Sequence, residues 1–359
     1  MNSEANIHIS ETGTQTFIHK KNLDRLKIIA LIFTLLGVGL FGYIVYSVGW
    51  RDILEGVLKI GFGGFLLILI LYFLRITVRA IAWKLSVSKP YKLDLRDTLP
   101  AVIIGEALST LIPLGILISG TSKAVAVKKR IPLVAGLSSV ATENLFYSIV
   151  TGIFIVFGAF AFLRSFQLEE GWIISIDILI GAIFALTVFA SVVIVRQLHL
   201  LSNLSEWLYN RHIGRRILKK GRSQIRLFEN LIFAFYREYP RRFLPIIMLQ
   251  ITYHLLGIFE VWFVLTRISA VSASVYTAFL LESMSRVITI VFKLIPFQFG
   301  VDEAGAQFVS ETLALGLVTG ATLTIIRKVR TLFWTGIGLI VILKREISFA
   351  EITKAGDRG

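Results

Sequence analysis

This 359-residue chain predicts an all-α polytopic membrane protein, and three observations carry that fold class. Hydrophobic residues make up 55% of it and charged residues only 17%, with a mean hydropathy of +0.76, far from the balance of a soluble domain. Apolar runs of roughly 20 residues, the length that crosses a bilayer core, recur along it. The net charge of +15 collects between those runs, which makes it an orientation signal first. The expected architecture has about 6–8 transmembrane helices and two re-entrant or broken helical segments, in the manner of an inverted repeat.

The composition also excludes chemistry. Cysteine is absent, so there is no disulfide, thiolate metal site or cysteine nucleophile. Five histidines stand apart with no ligand spacing, so no metal, cofactor or catalytic residue is expected.

Residues 1–26 form a polar tail ending in Lys20, Lys21 and Arg25. A signal peptide would start its apolar core sooner, so the tail is expected to be cytoplasmic and the first span, 27–48, uncleaved. The stretch 50–59 has balanced charge and is expected as an external loop. A second span over 62–83 carries Arg75 and Arg79 at its inner end and emerges into Lys84, Lys89, Lys92 and Arg96, a cytoplasmic signature. Residues 99–120 hold Glu106 and are broken by Pro113, Leu114 and Gly115. Basic residues flank both sides, which fits a re-entrant segment; a kinked span fits as well. The apolar run 133–163 is too long for one straight span, and Glu143 is its only charge. Residues 172–195 return the chain to the cytoplasmic side.

From Arg196 to Arg242 there are eleven Lys or Arg residues against three Glu. Ile225, Phe228, Leu231, Ile232, Phe235 and Tyr236 share one helical face, as do Leu201, Leu204 and Leu208. Such basic amphipathic helices lie on anionic membrane surfaces, or the charge serves only to fix orientation. Nucleic acid is not an expected partner, because no recognisable module fits here. The next span carries His254 and Glu260, each expected as a helix–helix contact. The chain thus divides into a tail (1–26), a first membrane half (27–195), a basic linker (196–243), a second membrane half (244–343) and a tail (344–359).

Residues 279–343 organise the whole. They are apolar, yet contain Glu282, Arg286, Lys293, Asp302, Glu303, Glu311, Arg327, Lys328 and Arg330, and are interrupted by Pro296 and Gly300. One charge at a bilayer centre costs about 2.5–3.5 kcal/mol on insertion scales, and broken backbone persists at that depth only inside protein or along a cavity. The alternative is snorkelling at helix ends. Glu282 and Arg286 are i,i+4 neighbours, with Lys293 farther along nearly the same face. Arg327 and Arg330 are neighbours likewise. Asp302 and Glu303, being adjacent, are not expected to reach one site from a helix. In the first half Glu106, Lys123 and Glu143 are the counterparts. Glu143 follows Pro113 at nearly the separation at which Arg327 follows Pro296. Gly152 and Gly336 then sit in the similar strings SIVTGIF and LFWTGIG.

These patterns resemble the flippase-like membrane family that includes the transmembrane region of lysylphosphatidylglycerol synthases. They are Glu106 leading to Pro113, Gly115 and Lys123; Glu143 in a long helix rich in small residues; and Pro296 with Gly300, Val301, Asp302 and Glu303, followed by Arg327. Phe297 and Gln298 stand where the family usually has glycines, and Asn144 and Tyr147 where a basic residue and an acid are common. The resemblance implies a transport-type role in a bacterial or archaeal inner membrane, without synthase activity.

Three functions compete. The first is a translocase for lipids or lipid-linked sugars, anionic or phosphate-headed, with cations offset by carboxylates when empty. The second is a membrane glycosyl- or phosphotransferase. The third is an accessory subunit partnering lipid- or glycan-synthesis enzymes. All of them place the N-terminus in the cytoplasm. In the cysteine-free chain, single cysteines at positions 125 and 215 should resist impermeant thiol reagents applied from outside; labelling of both from outside would reverse this topology.

Overall fold

The structure, a computed structural model, describes residues 39, 42–111, 115–166, 170–211, 215–269, 271–292, 298 and 300–344, with backbone alone for 115–117, 172 and 215–220. It is helical, with no strand among the described residues. The first half contains α1 (Trp50–Leu85), α2 (Leu95–Leu111), α3 (Gly115–Ala126) and α4 (Leu133–Ser165). Then come α5 (Glu170–Val195), α6 (Leu200–Asn210) and α7 (Arg215–Glu238). The second half contains α8 (Phe243–Ile268), α9 (Val275–Val291), α10 (Val301–Thr312) and α11 (Leu317–Lys344).

The segments Trp50–Leu85, Leu133–Ser165, Ile173–Val195 and Pro240–Ile268 are long and apolar enough to cross a membrane. Helix α11 has the length, but Arg327, Lys328 and Arg330 in its middle set it apart. Of the span expected at 27–48, residues 39 and 42–48 are described, and 42–48 are helical; the rest lies outside the described residues. Residues 50–59 are helix and not a loop: Ile53 and Ile60 are buried and draw this arm onto the protein. Gly61, at φ 64°, lets the arm change direction within α1, a backbone conformation that suits glycine. The run 133–163 stays in one helix, α4, about 50 Å long at 1.5 Å per residue, so it outreaches the bilayer core.

The two broken segments are helical hairpins. In the first, α2 packs along α3; in the second, α9 packs against α10. Their longer arms rise about 26 Å and their shorter arms about 18 Å, less than the roughly 30 Å core. Pro113, Lys293 and Pro296 fall outside the described residues.

Helix α1 runs antiparallel to α8. Gly64 faces Phe263, Arg75 lies beside Gly257, and the Arg242 guanidinium donates to the Leu85 and Val87 carbonyls at 3.0 and 2.8 Å. Helix α2 packs on α11 and α4 packs on α9; α1 touches α11, and α8 touches α4. Exchanging α1–α4 with α8–α11 leaves this set of neighbours unchanged. Because α1 and α8 are antiparallel, the two-fold relating the halves lies across the helices, in the membrane plane, which is the geometry of an inverted repeat. Two glycines mark it. Gly158 of α4 lies against Ser283 and Phe279 of α9, and Gly338 of α11 lies against Ala107 and Ile103 of α2. These, and not Gly152 and Gly336, hold corresponding contacts. The correspondence makes Glu106, just before Ala107, the counterpart of Glu282, just before Ser283.

Outside this repeat, α5 turns its side chains outward: Ile178, Phe184, Leu186 and Val195 are each at least 60% exposed, the surface a lipid-facing helix presents. Helix α7 differs from expectation. Its apolar face is used inside the protein, with Phe235 fully buried beside Phe146 and Ile246 and Tyr236 stacked on Phe146 at 5.4 Å.

A Cβ at Gly338 would come within 2.5 Å of the Ala107 Cβ and 3.0 Å of the Ile103 carbonyl. Gly338→Val should therefore force α2 and α11 apart and cost about 1–3 kcal/mol, as overpacking does. Thermal unfolding of the purified protein in detergent should show a lower midpoint, while Gly336→Val, at a position with open space around it, should not.

Candidate functional site: a charged cavity between the halves

A cavity of about 410 Å³ lies between the halves, lined by residues of α1, α2, α3, α4, α8, α9, α10 and α11. Its charged lining comprises Arg75, Arg79, Arg286, Arg327, Lys328 and Arg330 with Glu106, Glu282 and Asp302. Tyr72, Tyr147 and Tyr253 supply rings and hydroxyls.

One side is a hub of four guanidinium groups around two carboxylates. Glu282, wholly buried, accepts from Arg286 Nε at 3.0 Å and from Arg327 Nη2, and Arg75 Nη2 approaches it at 3.6 Å. Glu260 accepts from Arg75 Nη1 at 3.5 Å and from Arg330 Nη1. Aromatic faces hold the arginines in place: Arg75 sits 4.3 Å from the Tyr253 ring and Arg330 4.2 Å from the Tyr72 ring. Cation–π contacts of this kind favour guanidinium over ammonium. Arg75 is 2% exposed, and its Nε and Nη2 have no hydrogen-bond partner among the described residues. A buried donor without a partner is costly, so the hub is left ready for an acceptor.

The second group, one turn along α1, is acid-rich. Arg79 donates to Glu143 from Nε and Nη2, both at 3.2 Å, and to Glu106 from Nη1 at 2.9 Å. It also reaches the Asn144 amide oxygen at 3.1 Å and rests on the Tyr147 ring at 4.6 Å. Gln250 donates to Glu143 at 3.2 Å. The third group is at the second break. Lys328 Nζ lies 3.0 Å from Glu303 and 3.7 Å from Asp302. Glu303 accepts the Gly300 amide proton at 2.8 Å, capping α10.

Six of the residues singled out in the sequence line the cavity: Glu106, Glu282, Arg286, Asp302, Arg327 and Arg330. The i,i+4 pairing of Glu282 with Arg286 is present. Arg327 and Arg330 diverge, one to Glu282 and one to Glu260. Asp302 and Glu303 do meet at one lysine, because they occupy the first turn of α10, where Lys328 lies within reach of both carboxylates. Glu303 is nevertheless buried and absent from the lining, as is Glu143, which stands behind Arg79. Lys123 is also outside the lining. It is 2% exposed, packed beneath Gly105, and in no ion pair among the described residues; α3 turns this face toward α2. Lys293 lies outside the described residues.

Sequence reasoning placed Arg75 and Arg79 at the inner end of a span and Glu260 in a helix contact. All three belong to the network. The available signal was the i,i+4 spacing of two arginines within an apolar run, with the span continuing past them to Trp83. Lys328 was masked by Arg327 and Arg330 beside it. Asn144 and Tyr147, which depart from the family pattern, both serve Arg79.

Buried charge compensated across two helix hairpins is what the sequence patterns around Glu106, Pro296 and Arg327 implied. Over residues 27–338 the sequence matches the family described as Lysylphosphatidylglycerol synthase TM region. The chain belongs to that family. No curated protein and no solved structure matches it. Membership of the lysylphosphatidylglycerol synthase TM-region family, with the apolar helices, makes this an integral membrane protein of lipid-related function.

In this member of the family, Arg79→Met should leave Glu143 buried without its cation, at a cost of about 3–5 kcal/mol. Adding Glu143→Gln should recover much of that loss, since the amide carries no charge to strand. A double-mutant cycle on thermal unfolding measures the coupling; equal midpoints for Arg79→Met and the double variant would remove the pair's structural role.

Proposed function

We propose that this protein is a translocase for a lipid with an anionic, phosphate-bearing headgroup, and that the headgroup occupies the charged cavity. The observation that carries the reading is the arginine hub: among the described residues Arg75, Arg286, Arg327 and Arg330 share only Glu260 and Glu282. Two positive charges therefore lack a local carboxylate. Arginine forks fit phosphate oxygens in pairs, and the orphaned Arg75 donors supply further hydrogen bonds. The acids that balance the rest of the network, Glu106, Glu143, Asp302 and Glu303, lie toward Arg79 and Lys328.

The inverted repeat supports movement as well as binding. A site between two antiparallel halves is exposed to either side by rocking one half against the other. The energetic cost of breaking the ion pairs is offset when phosphate replaces carboxylate at the same arginines. By the basic character of the linker, the N-terminus is assigned to the cytoplasm and the protein to the inner membrane.

Reconstitution tests this. In liposomes, fluorescently labelled phosphatidylglycerol should equilibrate between leaflets faster with the protein than without it. Arg327→Met and Arg286→Met should slow this about 10- to 100-fold per folded molecule, the value of one or two charge-assisted hydrogen bonds. Asp302→Asn, at the cavity wall, should alter the rate, whereas Glu303→Gln should chiefly lower the folded yield by weakening the α10 cap. Normal movement in the arginine variants would remove the site assignment. Turnover of a lipid substrate would point to the transferase reading, and folded protein that neither moves nor converts lipid would point to an accessory subunit.

A further inference from the structure

A second concavity, of about 550 Å³, lies on the outer face of the protein between α4 and α5. Gly152, Ile153 and Phe157 of α4 and Phe184, Val188 and Val195 of α5 form its walls, and Arg196 closes one end. Apart from Arg196 the lining carries no charge. From Phe184 to Arg196 the groove follows α5 for about 18 Å at 1.5 Å per residue. Its rims face outward: Phe157, Phe184 and Val195 are 66%, 60% and 79% exposed. Arg196 is exposed, and its side chain makes no ion pair or hydrogen bond among the described residues.

The element that follows fixes the depth of this end in the membrane. Helix α6 is turned with its polar side inward. Ser202 and Ser205 are buried, and the buried Glu229 of α7 accepts from the amides of Leu201 and Ser202 at 2.8 and 3.2 Å and from the Ser202 hydroxyl. That clamp sets the roll of α6 and points Leu198, Leu201, Leu204 and Trp207 outward, each 40–53% exposed. Arg211 lies over the Trp207 ring at 5.0 Å. A helix with leucine and tryptophan outward and arginine beside them belongs in the interfacial layer. Arg196, four residues before α6 begins, then stands at the level of lipid phosphates, with the apolar groove leading from it into the hydrocarbon.

We infer that the α4–α5 groove is a binding site for a glycerophospholipid. One acyl chain lies along the groove, the phosphate pairs with Arg196, and α6 rests in the interface beside the headgroup. The site is separate from the charged cavity and does not depend on translocation.

The cysteine-free chain permits a direct test. A bimane fluorophore is placed on a single cysteine at Val188, in the groove, or at Phe189, lipid-facing but outside the lining. Each protein goes into phosphatidylcholine bilayers containing a minor fraction of either brominated phosphatidylglycerol or brominated diacylglycerol. At Val188 the phospholipid should quench several-fold more than the diacylglycerol, relative to the ratio at Phe189, and Arg196→Gln should bring the two ratios together. Equal ratios at both positions in the unsubstituted protein would mean ordinary surrounding lipid and overturn the site. Quenching by neither lipid at Val188, with normal quenching at Phe189, would mean that protein covers the groove and would overturn it equally. Lipid movement by Arg196→Gln, measured alongside, separates this site from the cavity: a loss of the groove preference with transport intact leaves the translocase reading untouched.

Discussion

The constraint on which the rest of this structure depends is electroneutrality among charges set inside the protein. Arg75, Arg79, Arg286, Arg327, Lys328 and Arg330 are opposed by Glu106, Glu143, Glu260, Glu282, Asp302 and Glu303. An isolated charge there would cost several kcal/mol. The partners are drawn from different helices: Arg79 is compensated within the first half and Arg286, Arg327, Lys328 and Arg330 within the second, while Arg75 reaches across, so its compensation holds only when the two halves are assembled. Arg75 on α1 needs carboxylates from α8 and α9, and Arg79 needs those from α2 and α4. The network thus selects one arrangement of helices among many that would satisfy the apolar surfaces equally well.

The balance is uneven in space, and that gives the cavity its chemical character. Where four arginines share two acids, each carboxylate oxygen is asked to satisfy more than one guanidinium. Buried salt bridges of this kind add little net stability over well-packed apolar side chains. Aromatic rings make the empty state tolerable. Tyr72, Tyr147 and Tyr253 lie beneath the guanidinium groups and provide attraction that does not consume a hydrogen-bond donor. The arginines are thereby held in position with donors to spare.

Much of this was legible in the chain, for physical reasons that also explain what was not. Charges inside apolar runs stand out, so Glu106, Glu282, Arg286, Asp302, Arg327 and Arg330 could be assigned before any geometry was known. Breaks at Pro113 and Gly300 stand out in the same way. Direction along a helix is harder to read. Lys123, Glu143 and Glu303 share the same apolar surroundings, yet their side chains turn away from the cavity, because facing depends on which neighbour packs against each side. Arg75 and Arg79 were obscured by the basic loop that follows them, which a charge rule absorbs into topology. The roll of α6 depended on Glu229, 27 residues beyond Ser202 in the chain, and no local periodicity reveals that clamp.

The repeat explains why a site of this kind arises between halves that differ so much in sequence. A two-fold in the membrane plane brings corresponding surfaces face to face, so any charge near the axis meets its own counterpart region. Two identical halves would oppose like charges there. The chain avoids this by exchanging sign: Tyr72 and Arg79 on α1 share their seven-residue spacing with Tyr253 and Glu260 on α8. Arg79 binds Glu143 of α4, while Glu260 binds Arg330 of α11. At these equivalent positions the sign of the charge is reversed, and each finds a partner on the long last helix of its own half, α4 or α11. The same charge is kept at Glu106 and Glu282, and the two acids take different partners: Arg79 for Glu106, and Arg75, Arg286 and Arg327 for Glu282. Divergence of the halves therefore lets the charges near the axis find opposite partners, and at the α9–α11 side it leaves four arginines around Glu260 and Glu282.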